Sequence, residues 1–149
     1  MIRIVIAEDQ ALVLGALATL LGLEGDIDII SRVGDGAAAL DAVREHKPDI
    51  LLSDIEMPQM TGLDVAEAIT REGLAARVLI VTTFGRAGYL RRAMDAGVRG
   101  YLLKDTPTDA LAAAIRKVAA GGRAIAPELA ELAWDAPANP LTDRERDVL

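Results

Sequence analysis

The stretch Leu51-Leu52-Ser53-Asp54-Ile55-Glu56-Met57-Pro58-Gln59-Met60-Thr61-Gly62-Leu63 decides the fold. Residues 49–53 form a short apolar run behind the breaker Pro48, the pattern of a strand buried on both faces of a parallel sheet. The run ends on a carboxylate. In open α/β sheets the reactive groups gather where strands finish and loops begin, so Asp54 stands at the edge that carries chemistry. Pro58 fixes φ and withholds a backbone donor, while Gly62 tolerates backbone angles that other residues avoid. An Asp at a strand end is also an ordinary turn former and helix cap, so its companions decide the reading.

Three other apolar runs also end on polar groups. Residues 2–7 lead into Glu8-Asp9, residues 77–81 into Thr82-Thr83, and residues 100–103 into Lys104. If these strands are parallel, three acids, two hydroxyls and one lysine converge at a single edge. Clustered carboxylates repel one another. A hard divalent cation with oxygen ligands relieves that repulsion, and Mg²⁺ suits a site that keeps waters and shares its coordination with a phosphoryl group. Lys104 supplies a point charge for a phosphoryl oxygen, and Thr82 a hydroxyl donor.

Composition sets the outer bounds. A chain of 149 residues has room for one well-buried domain and little more. Its hydrophobic fraction of 52% and net charge of −7 suit a folded protein and argue against its gripping a phosphate backbone by itself. There is no cysteine, which excludes disulfides, thiolate metal sites and cysteine nucleophiles together. The most apolar segment, residues 11–23, is shorter than a membrane span and follows no basic leader. The expected location is therefore the cytoplasm, without direct membrane insertion.

Helices are predicted over residues 10–24, 37–46, 63–72, 89–96 and 107–120, with a second, edge strand at 27–30. Thr106 reads as the cap of the last of these helices, with Pro107 at its first position and Asp109 at its third. Gly34-Asp35-Gly36 lacks the third glycine of a phosphate loop and follows an edge strand, so it reads as a turn and cap. His46, the single histidine, reads as a cation at a helix C-terminus with no functional role. The two glycines of residues 84–88 permit rearrangement in that connection. Alternation of strand and helix gives an α/β fold, a doubly wound five-stranded parallel sheet. Residues 121–140 are expected to hold a short helix and a linker. Residues 141–149 open a new helix on the capping box Thr142 and Glu145, and the chain stops inside it.

Glu8-Asp9, Asp54-x-x-Met57-Pro58-x-x-x-Gly62, Thr82, Tyr101 and Lys104, in that order and spacing, resemble the receiver domain of bacterial two-component response regulators over residues 1 to about 120. Leu141-Thr142-x-Arg144-Glu145-x-x-Val148-Leu149 is similar to the opening of the helix-turn-helix domain of NarL/FixJ-type regulators. The resemblance implies a flavodoxin-like strand order 2-1-3-4-5. It also implies that Asp54 accepts a phosphoryl group from a phosphohistidine of a sensor histidine kinase, with Lys104 and Thr82 assisting. Asp9, Asp54 and the backbone carbonyl of Glu56 would bind Mg²⁺, Glu8 acting through a metal-bound water, and Thr82 with Tyr101 would form a switch pair. The domain would be regulatory rather than an enzyme, at most phosphorylating itself from small donors and dephosphorylating itself. DNA would be bound only through the C-terminal domain of a longer transcription factor. Two departures stand out. Thr83 occupies a position where Ala or Gly is common and would narrow access, and Asp105 follows Lys104 where Pro is common, leaving open whether that bond is cis.

Two other classes compete. A haloacid-dehalogenase-type phosphatase also uses a strand-end Asp, Mg²⁺, a hydroxyl and a Lys. Its nucleophile, however, lies near the first strand with a second Asp two positions on, where this chain has Glu8-Asp9-Gln10-Ala11, and Glu56 follows Asp54 at that spacing. A flavodoxin-like binding module leaves Thr82 and Lys104 unexplained. Assembly is legible from the first helix, whose residues 11–23 include one polar side chain, Thr19, and are apolar on every face. Beside the Ala-rich last helix this predicts a two-fold dimer on phosphorylation. Leu12, Ala16, Ala18 and Thr19 would meet Ala112, Ala113 and Arg116, while the helix bearing Arg91, Arg92 and Asp95 stays solvated.

Overall fold

The computed structural model describes residues 1–83 and 87–127, of which 87 and 88 by backbone alone. Residues 84–86 of the connection expected at 84–88, the short helix expected beyond Pro127, the linker and residues 141–149 lie outside the described residues. Among the described residues six strands and five helices follow in the order β1 (Ile2–Ala7), α1 (Ala11–Gly22), β2 (Ile27–Val33), α2 (Gly36–His46), β3 (Ile50–Ser53), α3 (Gly62–Arg71), β4 (Arg77–Thr82), α4 (Ala87–Asp95), β5 (Gly100–Leu103), α5 (Thr108–Ala119) and β6 (Ala124–Ile125). The strands form one parallel sheet in the order β2-β1-β3-β4-β5-β6. α1 packs on α5, α2 on α3, and α3 on α4, so the helices cover both faces.

That covering explains the unbroken apolar runs. Ile4, Val5, Ile6, Ile50, Leu51 and Leu52 are buried whichever way they point. Edge strands obey a looser rule. β2 runs on through Ser31 and Arg32 to Val33, past the predicted end at Ile30, because its backbone continues to pair with β1 up to Ala7 opposite Val33. The register shifts between Ile4 and Val5, which leaves Ile30 as the extra residue of a bulge. At the other edge the two-residue β6 extends the expected five strands to six. It is too short to carry a periodic signal.

Caps set the helix starts. Asp35 Oδ1 accepts from the Ala38 N–H at 2.7 Å and opens α2. Thr61 and Asp64 form a reciprocal capping box on α3, at 3.2 and 3.0 Å. The cap expected at Thr106 is not used. Its N–H closes a turn on the Leu103 carbonyl (3.0 Å), and α5 begins one residue later than predicted, after Pro107.

The surface of α1 is as apolar as its sequence. Leu12 is 90% exposed, and Ala16, Thr19, Leu20 and Leu23 are exposed with it, while Ala18 is half-buried. α5 differs from expectation at one position. Its buried face runs through Leu111, Ala112, Ala114, Ile115 and Val118, so Ala112 lies at 0% exposure in the core and is no part of an outer patch. Ala113 and Arg116 face outward, and Arg116 is paired within the chain to Glu24 (2.7 Å) and Asp26 (2.7 Å).

Thr61→Ala removes the side-chain half of the α3 capping box and is expected to cost about 1 kcal/mol. A melting temperature about 2–4 °C lower would report it; Thr61→Ser should restore the wild-type value, and an unchanged melt for Thr61→Ala would refute the capping role.

Candidate functional site

Strand register assembles the site. Ala7 pairs with Ser53, so the next residues, Glu8 and Asp54, leave the sheet side by side, and the Asp54 N–H still donates to the Ala7 carbonyl at 3.0 Å. Thr82 ends β4 opposite Leu103, and the following Lys104 N–H donates to the Thr82 carbonyl at 2.7 Å. The strand ends predicted to converge do so. Among the described residues the buried polar or charged side chains are Glu8, Ser53, Asp54 and Thr82, all at this edge.

One carboxylate oxygen each from Glu8, Asp9 and Asp54 lies within 4.8 Å of the others. Lys104 Nζ stands between two of them, 2.8 Å from Glu8 Oε1 and 3.0 Å from Asp54 Oδ2. The second oxygen of each acid takes a backbone donor: Glu8 Oε2 the Gln10 N–H at 3.0 Å, Asp54 Oδ1 the Ile55 N–H at 2.7 Å. Burial pushes Glu8, only 2% exposed, above the usual carboxylate range, although the Lys104 hydrogen bond opposes the shift. Burial alone would depress the Lys104 ammonium, but its hydrogen bonds to Glu8 and Asp54 outweigh that and hold it above its ordinary value. Three carboxylates less one ammonium leave two negative charges unmatched at a cluster of oxygen donors, and that set fits a hard divalent cation. Glu56 lies in the following loop with its side chain exposed, between the buried Ile55 and Met57.

The loop returns tightly. The Gly62 N–H donates to the Ile55 carbonyl at 2.9 Å, and a Cβ on Gly62 would collide with the Asp54 carbonyl oxygen. Ser53 Oγ donates to that same oxygen at 2.8 Å. Ser53 was not among the residues expected at the site; its only signal is that it is the polar member of an apolar strand. Thr82 is buried and Thr83 exposed. Tyr101 is wholly buried in β5, and its hydroxyl has no hydrogen-bond partner among the described residues. Among those residues there is no cis peptide bond, so the Lys104–Asp105 bond is trans.

Residues 4–116 match the family described as the response regulator receiver domain. The transcriptional regulatory protein DesR of Bacillus subtilis is 51% identical over 149 residues, which are the whole of this chain and 73% of that protein. Among solved structures, the signal receiver domain of NarL from Mycobacterium tuberculosis superposes with a TM-score of 0.79 at 32% identity, over 80% of this chain and 97% of that one. A LuxR-family DNA-binding response regulator from Staphylococcus aureus gives a TM-score of 0.77 at 38% identity, over 80% and 99%.

Burial pushes the Tyr101 hydroxyl up to about 12. A raised folded-state value means that ionisation of this hydroxyl favours the unfolded chain, so its titration leaves stability unchanged below about pH 10 and lowers it as pH rises towards 12. Tyr101→Phe removes a hydroxyl that is buried and unmatched, so it is expected to stabilise the protein by about 1 kcal/mol at neutral pH and to flatten the alkaline loss. Chemical denaturation at pH 7 and pH 11 checks both; destabilisation at pH 7 would show that the hydroxyl has a partner.

Proposed function

The chain belongs to the response regulator receiver family, in the NarL/LuxR type of two-component regulator, and on that footing we propose that Asp54 is its phosphoryl acceptor. The observation that carries the proposal is the Lys104 ammonium bridging Glu8 and Asp54 beside Asp9. A sensor histidine kinase is the donor: the Asp54 carboxylate attacks the phosphorus of a phosphohistidine whose ring is protonated on its other nitrogen, the new O–P bond replaces the P–N bond, and the ring leaves as neutral imidazole with the P–N electron pair.

Each residue has a task in that transfer. The Ile55 amide fixes the Asp54 carboxylate, and Lys104 exchanges its contact with Asp54 Oδ2 for one with an incoming phosphoryl oxygen while Glu8 keeps hold of it. Asp9, Asp54 and the Glu56 backbone carbonyl would hold Mg²⁺, with Glu8 acting through a bound water. When bound, the cation supplies neutralisation of the phosphoryl charge. Thr82 turns its hydroxyl towards the phosphoryl group, and Tyr101 takes up the space that this vacates. The domain is a regulatory acceptor whose own chemistry is limited to positioning and charge stabilisation.

Output follows from surface and family. Phosphorylation favours a two-fold dimer in which Leu12, Ala16 and Thr19 of α1 meet Ala113 and Arg116 of α5, bringing two DNA-binding domains together. Among the described residues no helix is long and apolar enough to cross a membrane. The proposed place of work is the cytoplasm.

Intact mass after acetyl phosphate treatment is expected to show one phosphoryl group per chain, dependent on Mg²⁺ and absent from Asp54→Asn. Undiminished labelling of that variant would remove Asp54 from the role, and continuous phosphate release from a small phosphomonoester would point to a phosphatase instead. For assembly, sedimentation should show a dimer strengthened by phosphorylation and abolished by Ala16→Glu. A dimer indifferent to that charge, or a monomer under both conditions, defeats the interface.

A further inference from the structure

The Gly34-Asp35-Gly36 turn lies between the two chain segments that carry the acids. On one side the Glu8 N–H donates to the Val33 carbonyl at 3.0 Å. On the other the Gly36 N–H donates to the Pro58 carbonyl at 3.2 Å, and that carbonyl also accepts from the Met60 N–H at 2.9 Å. Residues 33–36 therefore touch both the strand end that leads to Asp9 and the loop that runs on from Asp54.

The second of these contacts tolerates no side chain. A Cβ on Gly36 would collide with the Met60 carbonyl oxygen and stand 2.6 Å from Met60 Cβ. Neighbouring Gln59 holds φ at 74°, the left-handed region that a non-glycine residue occupies at a cost. The turn that lays Met60 on Gly36 must therefore be held by its surroundings. Pro58 and Gln59 are exposed and lend it no core packing, whereas Ile55 and Met57 anchor the earlier part of the loop. Gly34 is unlike Gly36: a Cβ there would meet only the Glu8 carbonyl oxygen, at 4.0 Å.

The geometry points to Gly36 as a positioning residue for the divalent-cation site: β1–β3 pairing sets Glu8 beside Asp54, and Gly36, by letting residues 58–60 close onto the start of α2, holds the Glu56 loop beyond that pairing against the segment that leads to Glu8-Asp9. The inference rests on the reading of those acids as a Mg²⁺ site. A cation with near-octahedral demands is sensitive to the spacing of ligands drawn from two segments, and residues behind the ligands set that spacing.

Isothermal titration of Mg²⁺ into the full chain, with no phosphodonor present, tests it. Gly36→Ala is expected to weaken Mg²⁺ binding about tenfold, and Gly34→Ala to leave it within about twofold. Asp35→Ala deletes the α2 cap and frays the turn that bears Gly36 without adding bulk. It should also weaken binding, and it carries the test alone if Gly36→Ala does not fold. Val43→Ala, a core truncation at the far end of α2, should lower the melting temperature and spare Mg²⁺ affinity. Wild-type affinity in a folded Gly36→Ala or in Asp35→Ala overturns the inference. So does a Val43→Ala protein that loses affinity in step with stability, because affinity then merely follows folding. A wild-type chain that takes up no Mg²⁺ removes the proposed site and this inference together, whereas wild-type uptake with an indifferent Gly36→Ala removes this inference alone.

Discussion

The bridge from Lys104 to Glu8 and Asp54 is the interaction on which the rest of the site depends. Two carboxylates withdrawn from water beside a third repel one another, and an unpaired buried charge is among the costliest features a fold can carry. A single ammonium relieves part of that cost and leaves an excess of negative charge. That excess is what a hard divalent cation would match. A parallel sheet makes this possible, because every strand finishes at the same edge and residues far apart in the chain arrive there together.

Much of this was legible beforehand. Strands covered on both faces read as unbroken apolar runs, so β1, β3, β4 and β5 announce both themselves and the residues at which they end. Glu8, Asp9, Asp54, Thr82 and Lys104 follow from those endings. The second half of β2 did not announce itself, since Ser31 and Arg32 pair through their backbones on an edge strand where side chains are free to be polar. Ala112 was misplaced for a related reason: Ala112-Ala113-Ala114 offers no contrast from which to read a helical face, and the structure buries the first and third while exposing the second. Ser53 and Gly36 act on backbone groups, Gly36 on a loop distant in sequence, and no local pattern records such contacts.

The two helices on the outer layer divide their labour. α1 leaves Leu12 and Leu20 in the open, with Leu23 just past its end, an arrangement that water alone does not favour. α5 contributes a mostly polar outer face, and Arg116 ties it to Glu24 and Asp26 in the turn that follows α1. A partner meeting this face therefore meets two helices already fixed to each other.

That Asp54, Lys104 and a divalent cation form one phosphoryl-accepting site is tested most directly by ¹⁹F NMR of the protein mixed with beryllium fluoride, whose trifluoride mimics a phosphoryl group on a carboxylate. Bound fluorine signals that appear only with Mg²⁺, and vanish in Lys104→Ala, are the predicted result. Bound signals that form equally well without Mg²⁺, or that survive the loss of Lys104 unchanged, would contradict it.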